Sequence, residues 1–168
     1  YLDEMLAQGT TTAEAKSGYG LTLKDEVKML EAIRVLQETH PVDLVPTFLG
    51  AHAIPEEYKD DPDGFVDLVI QEMLPAISPL GLARFCDVFC EEGVFSVEQT
   101  RSILLGAKKL GFELKIHADE MVTLGGAELA AELGATSADH LMMISDHGIE
   151  MLAASDTIAV VLPAPPSV

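Results

Sequence analysis

Lys115-Ile116-His117-Ala118-Asp119-Glu120 is the stretch with the clearest structural and chemical signal in the chain. Leu114 and Ile116 alternate with Lys115 and His117, which is the period of a strand whose two faces differ. A histidine at a strand end, followed by two carboxylates, makes poor core material, but imidazole binds metals and carboxylates transfer protons. The stretch therefore predicts a strand that ends in a metal-binding or proton-transfer site. A hydrogen-bonded structural histidine is the alternative interpretation.

Short apolar strands followed by helices recur along the rest of the chain. Strands are predicted at 10–15, 42–49, 83–89, 112–117, 136–140 and 157–162. Helices are predicted at 3–8, 22–38, 64–77, 96–110, 124–133 and 145–154. This alternation predicts right-handed βαβ units and a parallel sheet.

The polar residues that resist a structural explanation follow the carboxyl ends of five successive strands. They are Lys16 and Tyr19, His52, Glu91 and Glu92, His117 and Glu120, and His140. A (β/α)8 barrel gathers its chemistry on that face, whereas a doubly wound sheet binds ligands only near its switch point. The distribution favours a barrel, of which this chain supplies about six of the eight βα units.

Length and composition indicate one ordinary globular domain over residues 1–168, with 48% hydrophobic residues. The net charge of −18 argues against nucleic acid and anionic membrane surfaces as partners. No signal peptide or apolar run of membrane-spanning length is present in the sequence. Cys86 and Cys90 would lie about 13 Å apart on one strand, too far for a disulfide. Two free thiols predict a reducing, cytoplasmic location.

The two ends of the sequence favour a piece of a longer protein. The chain starts at Tyr1 without a methionine, at a segment that is expected to be the tail of a helix, and it stops just after an apolar strand. We therefore expect further strands of the same barrel outside these 168 residues.

The spacing of His117, Glu120 and His140 predicts a mononuclear metal hydrolase. The two histidines end neighbouring strands, and Glu120 lies in the loop directly after the first of them. A metal ion lowers the pKa of bound water towards 7, and a nearby carboxylate and imidazole can then handle the protons. The sequence has no HExxH, no cysteine cluster and no glycine-rich phosphate motif, so other common sites are not indicated.

Six segments, taken in order along nearly the whole chain, resemble imidazolonepropionases, a family of the amidohydrolase superfamily. They are 16–21 (KSGYGL), 47–53 (TFLGAHA), 85–91 (FCDVFCE), 115–120 (KIHADE), 125–130 (GGAELA) and 137–141 (SADHL). The resemblance implies an α/β fold, a (β/α)8 TIM barrel of amidohydrolase type with strands two to seven in this chain. It also implies a partial metal-dependent barrel domain with one divalent or trivalent ion, zinc or iron. The implied reaction, in histidine degradation, opens the cyclic amide of 4-imidazolone-5-propanoate with a metal-activated water and gives N-formimidoyl-L-glutamate.

The resemblance also implies roles for individual residues. His117 corresponds to a metal ligand, and Glu120 to the group that orients or deprotonates the water and contacts the substrate. His140 would steady developing charge or pass a proton. Tyr19 would bind near the propionate of the substrate, and His52 near its ring.

The chain departs from the family pattern because it contains no HxH pair. We expect the remaining ligands and a propionate-binding arginine to lie outside it, and we expect the isolated 168 residues to be inactive. The alternatives are another cyclic amidase or deaminase of the superfamily, or a non-catalytic α/β scaffold. The choice between zinc and iron is left open, as is a homodimer.

Neighbouring polar residues receive structural interpretations or stay open. Asp119 is expected to form hydrogen bonds with backbone groups or with the side chains that bind the metal. Glu91 and Glu92 are predicted to be loop or inner-barrel groups. Lys16 is either a structural partner of a carboxylate inside the barrel or a site residue, and the sequence does not separate the two.

Overall fold

The computed structural model describes residues 1–161. Within them, six parallel strands form one sheet whose spatial order follows the chain order. The strands are β1 (Thr12–Lys16), β2 (Asp43–Ala51), β3 (Phe85–Cys90), β4 (Glu113–Ala118), β5 (Ser137–His140) and β6 (Ile158–Val161). The strand order does not reverse in this part of the chain, so the sheet lacks the switch point of a doubly wound fold there. The predicted parallel βα alternation is confirmed, and the prediction for the last strand extends to Leu162, outside the described residues.

Seven α-helices accompany the strands over residues 1–161. They are α1 (Leu2–Ala7), α2 (Leu23–Thr39), α3 (Pro62–Leu68), α4 (Leu74–Ile77), α5 (Val97–Lys109), α6 (Gly126–Leu133) and α7 (Asp146–Ala153). The predicted caps are present: Ser96 and Gln99 form a reciprocal capping box at α5, and the Ser145 hydroxyl accepts a bond from Gly148 N at α7. None of the described helices has both the length and the apolar character needed to cross a bilayer.

The helix predicted over 64–77 begins earlier and is not regular. Asp61 caps α3 by accepting a bond from Gly64 N, and Pro62 occupies the first turn, where no N–H is needed. A π-helical turn, Val69–Met73, separates α3 from α4. Pro75 explains this turn, because its ring has no N–H to donate and would collide with the carbonyl four residues earlier in a regular helix.

Strand β2 runs two residues beyond the predicted end at position 49. Its pairing with β3 is irregular between Phe48 and Ala51. The ring of Phe48 packs directly against the backbone of Gly50, where any Cβ would collide with it. The strand continues to Ala51, and His52 follows it at the carboxyl edge of the sheet.

The sheet is strongly curled. In a flat sheet β1 and β5 would be four spacings of about 4.8 Å apart, or about 19 Å. Nevertheless Lys16 Nζ of β1 lies 2.8 Å from Asp139 Oδ2 of β5. Lys115 Nζ of β4 likewise lies 2.9 Å from Glu14 Oε2 of β1. The strands therefore bend around a shared inner face, as in part of a barrel.

The apolar core lies between the outer face of the sheet and the helices. Alternate residues of the central strands are buried there, including Cys86, Val88, Cys90, Leu114, Ile116 and Ala118. Helix α5 covers them with Ile103, Leu104 and Ala107, all fully buried. Since side chains alternate between the two faces, the other residues of the same strands are turned to the inner face, where the polar groups collect.

Candidate functional site

The five residues predicted for the site lie next to one another at the carboxyl edge of the curled sheet. The ring centroids of Tyr19 and His52 are 5.0 Å apart, and those of His52 and His117 are 6.4 Å apart. The rings of His117 and His140 are 5.0 Å apart, and His140 Nδ1 lies 3.5 Å from Glu120 Oε1. Five side chains from four loops and strand ends thus make one continuous row, although their roles stay predictions.

His117 is held in place from the inner face of the sheet. Its Nδ1 lies 3.0 Å from Oδ2 of Asp87, a fully buried residue of β3. The ring of Phe89, which pairs with His117 in the β3–β4 register, lies 5.8 Å away. Nδ1 forms no hydrogen bond of regular geometry with the described residues, so its approach to Asp87 is an electrostatic contact. With Nδ1 beside a carboxylate, Nε2 is the ring nitrogen left to bind a metal.

His140 reaches the site through an unusual backbone conformation. The β4–β5 register pairs His117 with Asp139, so regular alternation would turn His140 towards the helices. Instead His140 and Leu141 have φ of 79° and 59°, values that are rare for residues other than glycine. The left-handed backbone ends the strand, and the His140 ring comes to lie beside His117. Burial lowers the pKa of His140, with the Glu120 carboxylate opposing the shift, which favours a neutral imidazole at pH 7.

Glu120 depends on the residue before it. The Asp119 carboxylate is fully buried and accepts bonds from the backbone N–H groups of Leu124, Gly125 and Ala127, at 2.8–2.9 Å. These bonds satisfy the start of α6 and fix the 120–125 loop, which explains why this helix begins later than predicted. The prediction that Asp119 bonds backbone is confirmed.

The start of α6 lies directly against the end of β4. A Cβ at Gly126 would lie 2.9 Å from the Cβ of Ala118, so only glycine allows this approach. The contact brings the loop that carries Glu120 over the end of β4.

Tyr19 lies on a loop that a buried glutamate shapes. Glu26 of α2 is fully buried and accepts backbone N–H bonds from Gly18, Gly20 and Leu21, at 2.8–3.0 Å. The carboxylate thus fixes the backbone on both sides of Tyr19, while the tyrosine side chain itself is 80% exposed. An anchored loop with an exposed aromatic tip can contact a ligand at the edge of the sheet.

His52 is positioned by aromatic neighbours. Its ring stacks with that of Phe89, with centroids 5.9 Å apart and planes 28° apart. Phe89 therefore contacts both His52 and His117, which also contact each other. Such aromatic contacts restrict ring orientation in addition to burying apolar area.

A network of buried charges underlies His117. Lys16 Nζ lies 2.6 Å from Asp87 Oδ2 and 2.8 Å from Asp139 Oδ2. Burial disfavours the Lys16 ammonium, but the two carboxylates outweigh burial and raise the pKa of Lys16. Burial likewise disfavours the charge of Asp87, but His117 and Lys16 outweigh it and lower the pKa of Asp87. Lys16 thus pairs with carboxylates on the inner face of the curled sheet. It is the last residue of β1 and not part of the loop that follows.

The available donor atoms fit a metal site that includes His117. Imidazole nitrogen and carboxylate oxygen bind zinc and iron. In the described part of the chain, His117, Asp87 and Asp139 each offer a ligand atom, and these atoms lie within 4.8 Å of one another. The two carboxylates already have the Lys16 ammonium as their cation, however. His117 Nε2 is accordingly the donor in this group that remains open to a metal.

Several residues that build the site were not singled out from the sequence. Asp87 and Asp139 are acidic residues that alternate with apolar residues along buried strands. This alternation places them on the inner face and could have indicated them. Glu91 was expected in a loop or inside the barrel. It is buried and accepts a bond from Met121 N at 2.9 Å, which ties the β3 and β4 loops together. Glu26 looked like an ordinary residue of an amphipathic helix, and no sequence signal distinguished it.

Comparison with known proteins agrees with the resemblance. No family model matches the chain. The chain is 64% identical over 162 residues to the imidazolonepropionase of Alkaliphilus oremlandii, 60% over 163 residues to that of Fusobacterium nucleatum and 55% over 163 residues to that of Treponema denticola. These matches cover 96–97% of the chain but 38–40% of the relatives, so the chain spans about two fifths of their length.

A solved structure supports the fold alone. Phenylurea hydrolase B superposes with a TM-score of 0.57 at 14% identity, covering 94% of this chain and 43% of the hydrolase. The curled parallel sheet with flanking helices therefore occurs as part of a larger protein.

Proposed function

We propose that this chain forms strands two to seven of a (β/α)8 barrel of amidohydrolase type, in an enzyme that hydrolyses 4-imidazolone-5-propanoate. The product would be N-formimidoyl-L-glutamate, in histidine degradation. One observation carries the proposal: His117, Glu120, His140, Tyr19 and His52 lie in a single row at the carboxyl edge of the sheet. The identity of 55–64% to imidazolonepropionases over nearly the whole chain supports the choice of substrate.

In this proposal His117 holds one zinc or iron ion through Nε2, together with ligands elsewhere in the longer protein. When bound, such an ion lowers the pKa of water and polarises a carbonyl group. The contribution of this chain is to orient the imidazole, since the Asp87 carboxylate beside Nδ1 favours the ring orientation in which Nε2 faces the ion.

Glu120 and His140 would handle the protons. The water oxygen bonds to the ring carbonyl carbon, the ring C–N bond breaks, and the departing nitrogen takes a proton. Glu120 can accept the proton of the water and return one to that nitrogen. Burial lowers the pKa of His140 and so favours its neutral form, which can donate a hydrogen bond to the carbonyl oxygen as negative charge develops there.

Tyr19 and His52 would bind the substrate. The Tyr19 hydroxyl can donate a hydrogen bond to the propionate, and the imidazole of His52 can bond the imidazolone ring. The stacking of His52 on Phe89 restrains the ring of His52, and the Glu26 anchors restrain the backbone around Tyr19.

The location that we propose for the protein is cytoplasmic. Cys86 and Cys90 are both free and buried, as expected for a protein in a reducing compartment.

The test follows loss of imidazolonepropionate ultraviolet absorbance with the full-length protein, with bound metal quantified in the same sample. Turnover that yields N-formimidoyl-L-glutamate supports the proposal. If the metal-loaded protein leaves this substrate intact but opens or deaminates another cyclic amide or amidine, that compound would become the proposed substrate. A protein with neither metal nor turnover would be a scaffold.

A further inference from the structure

On the inner face of the sheet, His117 belongs to a group of residues that could hold a second metal ion. Asp87, His117 and Asp139 come from the adjacent strands β3, β4 and β5, and their donor atoms lie within 4.8 Å of one another. Two carboxylates and an imidazole at such distances resemble the ligand sets of transition-metal centres. A second ion at this position would make the centre binuclear.

Lys16 supplies the positive charge at that position. Its ammonium lies 2.6 Å from Asp87 Oδ2 and 2.8 Å from Asp139 Oδ2. Lys16 belongs to β1, which the curl of the sheet brings close to β5. Without it, two carboxylates would face each other in a largely buried space, which is costly. A metal ion bound to both carboxylates would meet the ammonium at close range and be repelled by it.

We propose that the Lys16 ammonium replaces a second metal ion in this centre and thereby limits metal binding to the single ion on His117. The inference rests on the proposed metal-dependent function and deepens it, because it says why only one ion binds. Lys16 acts here as a positioning residue, since it holds Asp87 and Asp139 and no role at the substrate is assigned to it.

Asp87 gives this inference a second, independent basis. Its Oδ1 atom is buried and has no hydrogen-bond partner among the residues that the structure describes. Removal of Lys16 would leave Asp87 without its ammonium partner, with His117 Nδ1 still beside Oδ2 and with Asp139 close by. The ligand group would then be open to a divalent ion.

The experiment compares zinc stoichiometry in the full-length parent and in Lys16→Ala, after metal removal and reloading with zinc alone. We expect one zinc ion per chain in the parent and one more in Lys16→Ala, measured by elemental analysis and by titration. The matched control is Lys115→Ala, which removes an inner-face lysine whose ammonium pairs with Glu14 and forms no ion pair with Asp87 or Asp139 within residues 1–161. Its stoichiometry should equal that of the parent.

A double variant locates the additional ion. Lys16→Ala combined with Asp139→Asn should return to the parent stoichiometry. An additional ion that persists in the double variant would lie elsewhere and would overturn the inference. So would a folded Lys16→Ala protein, checked by circular dichroism, that still binds one ion at saturating zinc.

The single variant Asp139→Asn keeps the inference testable if Lys16→Ala does not fold. It should keep the one ion of the parent, and loss of that ion would show that Asp139 is itself a ligand, against the inference. A parent with two ions per chain, or with none, also overturns it. A parent with one ion that does not hydrolyse imidazolonepropionate contradicts the proposed function and leaves the role of Lys16 standing.

Discussion

Nδ1 of His117 lies 3.0 Å from Oδ2 of the fully buried Asp87 on the neighbouring strand. Asp87→Asn keeps the shape of the side chain but removes the negative charge that fixes the His117 ring. We expect metal affinity to fall by about 10- to 100-fold, as is usual when a group that supports a metal-binding histidine is lost. Competition with a chromogenic chelator in the full-length protein measures this.

The control for this variant is Asp60→Asn, an exposed aspartate on the loop before α3. It changes the net charge equally and should leave metal affinity at the parent value. Equal affinities in the parent and in Asp87→Asn would show that Asp87 does not orient His117.

Glu120→Gln should abolish most of the turnover while the metal is retained. The amide keeps the size of the side chain but cannot accept a proton, and proton transfer by a positioned group contributes about 10²- to 10⁴-fold. We expect kcat to fall by about 10²-fold or more. Absorbance assays and metal analysis on the same preparation provide the measurement.

Glu92→Gln is the matched control, because Glu92 is an exposed glutamate on the neighbouring β3 loop. It should have near-parent kcat. If Glu120→Gln turned over like Glu92→Gln, the proton-transfer role would have to move to another group.

Much of the site could be predicted because the chain arranges it locally. A parallel sheet brings the carboxyl ends of its strands to one edge, so His52, His117 and His140 could be placed together from their positions after successive strands. The caps at Ser96 and Ser145 follow from three- and four-residue patterns, and both are present.

The features that could not be predicted depend on contacts between distant parts of the chain. Lys16 meets Asp139 only because the sheet curls, and no local pattern gives the degree of curl. Similarly, alternation would place His140 on the helix side, and only the positive φ at this residue and the next turns it into the site. Backbone strain of this kind is characteristic of functional sites.

Asp119→Asn tests whether the buried carboxylate holds the loop that carries Glu120. Both Asp119 oxygens accept backbone N–H bonds, so an amide necessarily turns its NH₂ group towards a donor. We expect a loss of about 1–3 kcal/mol in the free energy of unfolding, the usual cost of an unsatisfied buried group. Chemical denaturation measures the loss, and hydrogen exchange should become faster at residues 124–127. The same stability and exchange as in the parent would contradict the anchoring role.

Phe89→Leu tests the aromatic contacts that Phe89 makes with His52 and with His117. Leucine keeps the position apolar but removes the ring that stacks with His52 and packs edge-on against His117. Because both imidazoles gain freedom, we expect KM to rise and metal affinity to fall, each by a few fold, since aromatic pairs contribute about 0.5–1.5 kcal/mol beyond buried area. Phe89→Tyr, which keeps the ring, should restore metal affinity. A leucine variant with the KM and the metal affinity of the parent would show that Phe89 only fills space.

Tyr19→Phe separates substrate binding from chemistry. The Tyr19 hydroxyl is exposed at the tip of an anchored loop, so its removal costs the fold almost nothing and deprives the substrate carboxylate of one donor. Hydrogen bonds to charged groups contribute about 1.5–3 kcal/mol, so KM should rise about tenfold to a hundredfold while kcat stays near the parent value. Tyr58→Phe is the control, because Tyr58 packs against Phe65 of α3 and its replacement should leave both constants unchanged. An unchanged KM in Tyr19→Phe would remove Tyr19 from the propionate site, and a fall in kcat alone would give the hydroxyl a role in the transition state instead.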